Sequence, residues 1–178
     1  MQTQIIKESD MTAELDEAIR GSLVVCFPSD NNVFSKQRKW GDTWPIYSAI
    51  IEADNKVVAH VAIVERTVII NEQSYKVAGV QNVIALPSYR GQGLSDMTLK
   101  AAMQEADRLG FDFGLLFTNE KIKPVYARNG WAVISNKRFI CTIKGPKHQI
   151  PDESIVMFYP LRKKDIPDGI ADIQGTKW

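Results

Sequence analysis

Apolar residues recur along this chain with two different periods, and the switches between them mark its elements. Thr3 to Lys7 reads as a short strand. Asp10 or Thr12 then stands at a cap position for a helix with Met11, Leu15, Ala18, Ile19 and Leu23 at helical spacing. Pro28 to Trp44 is polar and rich in turn formers, yet it carries Phe34, Trp40 and Trp44. Those aromatics read as anchors that pin an irregular segment to the core, with lid residues as the alternative. Pro45 to Glu52 and Lys56 to Ile70 are rich in β-branched residues and flank Asp54-Asn55, a hairpin turn. Asn71-Glu72-Gln73-Ser74 predicts the next turn and Tyr75 to Leu86 the next strand, completing an antiparallel meander.

Leu99, Ala102, Met103, Ala106 and Leu109 mark a helix over Leu94 to Leu109, with Gly110 as the residue that ends it. Phe111 to Phe117 reads as a strand parallel to its predecessor across that helix. Asn119 to Asn129 predicts a short helix stopped by Gly130. Pro124 must lie in its first turn, because deeper in it would remove a backbone hydrogen bond. Trp131 to Ile134, Lys137 to Lys144 and Ile155 to Pro160 complete a mainly antiparallel sheet. The expected class is α/β in the mixed, α+β sense, with one βαβ crossover rather than a doubly wound sheet.

Bulk properties narrow the partners. At 178 residues the chain is expected to form one domain, 1–178, that buries roughly 70% of its unfolded surface. With 22 basic and 21 acidic residues it has no global field to draw nucleic acid or anionic lipid. Cys26 and Cys141 lack the spacing of a disulfide framework or a zinc site, so no metal is expected. The N-terminus lacks the layout of a signal peptide. The longest uncharged stretch, Val77 to Tyr89, is too short to span a bilayer. The expectation is a soluble, cytoplasmic protein with no membrane partner.

The chemistry concentrates where the strand ending at Pro87 meets the helix. Arg90-Gly91-Gln92-Gly93 joins them, which leaves backbone N–H groups unpaired at the positive end of a helix, beside an arginine. Such a turn suits a diphosphate. It is not a P-loop, since Leu94-Ser95 stands where Lys-Ser/Thr is needed, and two glycines do not make the dinucleotide fingerprint.

Arg90-x-x-Gly93-x-Ser95, together with Asn119, Tyr126 and Gly130-Trp131 downstream, resembles the GCN5-related N-acetyltransferases. The resemblance implies the acyl-CoA N-acyltransferase fold, a mostly antiparallel sheet with a bulged strand that splays from its neighbour. It implies acetyl-CoA as co-substrate, its pyrophosphate on Arg90, Gly91, Gln92, Gly93, Leu94 and Ser95. It places the pantetheine arm along Val83, Ile84 and Ala85 and on Asn119, with the Tyr126 hydroxyl at the thioester sulfur. A narrower resemblance, carried by Val57 to Arg66, Val80 to Gly93 and Tyr126 to Trp131 with an end at Trp178, is to the aminoglycoside 2'-N-acetyltransferases. There a carboxylate on the strand before the loop handles the substrate amine. The matching residue here is Gln81, and an amide cannot accept that proton.

Direct acyl transfer to an amine needs a polarised carbonyl, a neutral amine and a proton for the leaving thiolate. A backbone N–H near Val83 is the candidate polariser and Tyr126 the candidate acid. His60 reads as a core histidine, with a base role as the alternative. Asn82, Trp40, Asp152, Asp172 and the Trp178 carboxylate are the candidate acceptor-binding groups, and Glu65 reads as a surface residue. The expected acceptor is a primary amine on a small molecule, an amino sugar or aminoglycoside being one candidate. A protein or peptide amine is the second reading, and an acyl-CoA-binding module with weak or no catalysis the third. The resemblance also allows a homodimer.

Overall fold

Thr12 starts the first helix: its side chain accepts a hydrogen bond from Leu15 N (3.2 Å), capping α1 (Ala13–Cys26) after β1 (Thr3–Lys7). The structure is a computed structural model and describes every residue of 1–178 except Asp42, Asn136, Lys137, Ile143, Lys144, Asp152 and Glu153. The segment expected to be irregular contains a 3-10 turn over Pro28–Asp30 and a short α2 (Asn31–Phe34). Phe34 is fully buried, with its ring 4.7 Å from Trp40 and 5.4 Å from Phe27, which is the anchoring arrangement. Trp44 is not an anchor; it is 49% exposed.

Two turns of the same kind join β2 (Tyr47–Ala53), β3 (Lys56–Ile70) and β4 (Gln73–Ala85). Asp54 and Asn55 have φ of 50° and 57°; Asn71 and Glu72 have 48° and 66°. Two left-handed residues match the twist of paired strands, so the second turn needs only Asn71-Glu72 and β4 starts ahead of Tyr75. Next come α3 (Leu94–Arg108), β5 (Phe113–Thr118), α4 (Lys123–Ala127), β6 (Ala132–Val133), β7 (Phe139–Thr142), β8 (Lys147–Gln149), β9 (Ile155–Pro160) and β10 (Ala171–Asp172). Gly110 ends α3 in the left-handed region, with Phe111 N donating to Ala106 O and Gly110 N to Asp107 O. The helix expected over Asn119 to Asn129 is confined to α4, with Pro124 in its first turn.

The chain packs as two compact units. The first is Met1–Val64 with Gln81–Glu105. In it β1 runs antiparallel to β2, and β2 antiparallel to the start of β3. Ile19 and Leu23 of α1 pack on Phe34, Ile50, Val57 and Ile84, and Tyr47 Oη donates to Ala102 O of α3 (2.7 Å).

The second unit is Glu65–Val80 with Ala106–Trp178. Here β4 pairs in parallel with β5 from Val77↔Phe113 to Gly79↔Leu115, the arrangement the helical crossover predicts. β5 is flanked by β9 and then β6, both antiparallel pairings. Ile69 and Ile70 pair with β10, which lies parallel to β7, and β7 turns back on β8. β8 and β10 have no counterpart in the sequence reading. β10 is two residues long, and partners rather than patterning define it. No helix among the described residues is long and apolar enough to cross a membrane.

Glu72 is held left-handed at φ 66°, where a side chain costs about 1–2 kcal/mol and glycine nothing. Glu72→Gly is expected to raise stability by about 0.5–1 kcal/mol once glycine's greater unfolded-state freedom is deducted, measured by urea unfolding.

Candidate active site

Asn82 interrupts β4 with φ 55°, a left-handed residue inside a strand. A regular strand sends successive side chains to opposite faces; this residue breaks the alternation. Gln81 and Asn82 both reach the same segment as a result. Gln81 Oε1 accepts from Trp40 N (3.1 Å), and Asn82 Nδ2 donates to Arg38 O (2.9 Å). Arg38 is itself 1% exposed, bound to Asp16 at 2.7 Å and Glu8 at 2.5 Å. Gln81 Nε2, Asn82 Oδ1 and Arg38 Nη1 are buried with no partner among the described residues.

His60 closes the arrangement from β3. It is fully buried, with Nδ1 2.9 Å from Asn82 O and Nε2 3.1 Å from Ser48 Oγ. A carbonyl has no hydrogen to give, so Nδ1 carries the proton and Nε2 accepts from the Ser48 hydroxyl. Burial pushes the imidazole down to about 4, against the Asn82 bond and with help from the Arg38 charge. His60 is thus the satisfied core histidine, not a base.

The loop after β4 begins with a 3-10 turn, Pro87–Tyr89, and its ends are fastened. Leu94 is buried against Leu86 and Tyr89, while Tyr89 Oη donates to Asp54 at the β2–β3 turn. Between those anchors Arg90, Gly91, Gln92 and Gly93 are exposed. Gly91 and Gly93 have φ of 79° and 74°, and a Cβ on either would meet nothing within 4 Å. Backbone conformation, not crowding, asks for glycine here. Met97 N donates to Gly93 O at 3.1 Å, opening the ladder of α3, so the amides from Gly93 to Ser95 have no acceptor inside the helix. Open amides, an exposed arginine and the positive end of a 15-residue helix fit a diphosphate.

The strand leading to the loop offers backbone rather than side chains. Ile84 is buried in the α1 core and Val83 is half-buried. Ala85 O already accepts from Arg90 Nε (3.3 Å) and Cys26 Sγ (3.6 Å). A cavity of about 530 Å³ is lined by Ala18, Gly21, Ser22 and Val25 of α1, Asn55 and Lys56, and Leu86 to Ser88. The Ser22 hydroxyl is committed to Val57 O (2.6 Å), so the α1 wall is effectively apolar.

The second unit holds the remaining candidates. Asn119 is exposed, and its Oδ1 accepts from Ile122 N (3.1 Å), tightening the turn into α4. Tyr126 is 8% exposed, its ring 6.2 Å from that of Trp131. Burial pushes its phenol up to about 12, above the ordinary value near ~10 expected from sequence. Asp172 is buried and faces Lys147 at 2.6 Å, with Gln174 N donating to it. Burial opposes its ionisation, but the Lys147 and Gln174 bonds hold the carboxyl below its usual range. Its charge is therefore already matched by Lys147. The Trp178 ring is buried against Phe117, with the Arg66 guanidinium over it. Asp152 lies outside the described residues. Among those residues no cluster of His, Cys, Asp and Glu could hold a metal ion.

Sequence reasoning missed Arg38 and Ser48. An arginine in a polar connection gives no sign that it will be buried between Glu8 and Asp16.

The same architecture recurs among solved structures of acyl-CoA N-acyltransferases. An acyl-CoA N-acyltransferase from Pseudomonas aeruginosa superposes with a TM-score of 0.60 at 16% identity, covering 90% of this chain and 98% of its own. The GNAT family N-acetyltransferase YhbS from Escherichia coli, solved in complex with CoA, gives 0.60 at 16% identity over 97% of this chain and 90% of its own. The fold is that of the GCN5-related N-acetyltransferases. The chain belongs to the Nodulation protein A (NodA) family, whose model matches residues 2–174. An aminoglycoside 2'-N-acetyltransferase of Mycolicibacterium fortuitum is 24% identical over 128 residues, 72% of this chain; the chain spans 63% of that relative's length.

The buried imidazole sets a pH dependence. The unfolded chain protonates His60 near ~6.5 and the folded chain only near about 4, so between these values the unfolded state binds more protons. Stability contributed by His60 is therefore present above ~6.5 and lost as pH falls towards 4, on the order of 3 kcal/mol. Denaturant unfolding at about pH 7.5 and about pH 4.5 is expected to show that loss in the wild type and a smaller one in His60→Gln.

Proposed function

We propose that this protein is an N-acyltransferase that moves an acetyl group from acetyl-CoA to a primary amine of a small molecule by direct attack. The observation that supports it best is the open glycine loop at the start of α3, with Arg90 beside it. When bound, the thioester supplies an activated acyl group on a thiol leaving group.

In this reading the amides from Gly91 to Ser95 and the Arg90 guanidinium hold the pyrophosphate, while the β4 backbone at Val83 to Ala85 holds the pantetheine arm. The Val83 N–H polarises the acyl carbonyl. Tyr126 donates a hydrogen bond to the departing sulfur. With its phenol near 12 and a thiol near ~8.5, complete proton transfer is uphill by on the order of 5 kcal/mol, so its role is donation within the transition state.

Neither Gln81 nor His60 supplies a base, so in this reading the amine arrives neutral or loses its proton to water. An amino sugar is our preferred acceptor. The likeness to an aminoglycoside 2'-N-acetyltransferase supports it, and the side chain of Gln81, already bonded to Trp40 N, argues against the carboxylate mechanism for it.

Two measurements test the reading. Arg90→Ala is expected to weaken acetyl-CoA binding about tenfold by calorimetry, a modest loss because the arginine is solvent-exposed. Tyr126→Phe is expected to lower kcat about 10- to 100-fold in a thiol-release assay over an amine panel, with KM for acetyl-CoA little changed. Wild-type binding of acetyl-CoA without thiol release on any amine would select a binding module instead, and release with peptide amines alone would select a protein acetyltransferase. Repeating the assay with longer acyl-CoAs sets the chain length.

A further inference from the structure

We propose that His60 is a positioning residue for the acyl thioester: by holding the carbonyl of Asn82, it aims the N–H of Val83. The inference rests on the acyl-CoA reading above. Asn82 C=O and Val83 N–H belong to one planar trans peptide and point in opposite directions, so fixing one fixes the other. The imidazole takes the carbonyl at 2.9 Å, which directs the Val83 N–H away from the ring. A non-glycine residue with φ 55° within a strand persists only where its surroundings over-determine it. Here they do so from two sides, through the His60 ring on the main-chain oxygen and through Asn82 Nδ2 on Arg38 O.

His60 itself moves no proton. Ser48 Oγ occupies Nε2, Asn82 O occupies the Nδ1 hydrogen, and the side chain has no exposure. A ring so placed can act on the reaction only through the peptide it holds. A merely structural histidine would satisfy the same two bonds, so the decisive readout must sense the aim of the N–H rather than the stability of the fold.

Coenzyme binding can report that aim without turnover. Calorimetry compares acetyl-CoA with S-ethyl-coenzyme A, a thioether that lacks the carbonyl. The wild type is expected to prefer acetyl-CoA about fivefold, the scale of one neutral hydrogen bond. His60→Phe is expected to bind the two alike, with its affinity for the thioether unchanged. His60→Gln keeps an N–H for Asn82 O and should retain most of the preference, and His60→Leu substitutes for the phenylalanine variant if that one does not fold. In turnover the apolar variants should raise KM for acetyl-CoA up to about fivefold, as the lost ground-state bond requires, and also lower kcat, because the same bond strengthens as the carbonyl gains charge in the transition state. A preference that is equal in the wild type and the folded apolar variants overturns the proposal and leaves the acyl-CoA reading standing. Failure of all three variants to fold marks His60 as structural only and also overturns it. If the wild type binds neither compound, both readings fall.

Discussion

The bond from His60 to the carbonyl of Asn82 is the constraint on which the first unit depends. It stabilises a left-handed residue in the middle of a strand, and that residue breaks the alternation of β4. Gln81 and Asn82 then fasten one connection, Arg38 to Trp40, through two amide side chains. Arg38 carries the same connection down to Glu8 and Asp16. An unusual φ angle, a buried histidine and a buried arginine are thus parts of a single polar assembly. Removing one partner would leave another buried and unpaired, which costs more than the bond itself contributes.

Rigidity and access are divided along the same strand. Upstream of the loop, side chains are spent on packing: Ile84 against α1, and Leu86 with Leu94 under the turn. What remains open is main chain, at the glycines and at the start of α3. Main-chain donors held by a packed scaffold need no reorganisation when an anion arrives, which favours binding without a large entropic cost. Arg90 adds charge at the edge of this cradle, and its contact with Ala85 O keeps it near the strand end.

Much of the architecture was legible in the order of residues. The hairpin at Asp54-Asn55, the helix of α3 with its glycine stop and the parallel crossover to β5 follow from turn chemistry and periodicity. Local signals work where local geometry decides. They failed at β10, whose pairings with β3 and β7 depend on distant partners, at β8, whose exposed Lys147-His148-Gln149 carries no apolar alternation, and at α4, where the expected helix is confined to a few residues around Pro124. Among the site residues, the loop from Arg90 to Ser95 was readable because glycine and a helix start leave a mark on sequence. The charge partner of Asp172 was not, because Lys147 is remote from it along the chain.

By itself the sequence determined the glycine turn, the elements around it and the presence of an amide at position 81, since each is set by residue type and near neighbours. Tertiary structure alone decided what those residues do. It turned Gln81 from an absent base into a clamp on Trp40, made His60 a donor with no free lone pair, and pushed the Tyr126 phenol upward. The physical reason is that protonation and hydrogen-bond roles depend on solvent exclusion and on partners brought together by packing, and neither is a property of local sequence.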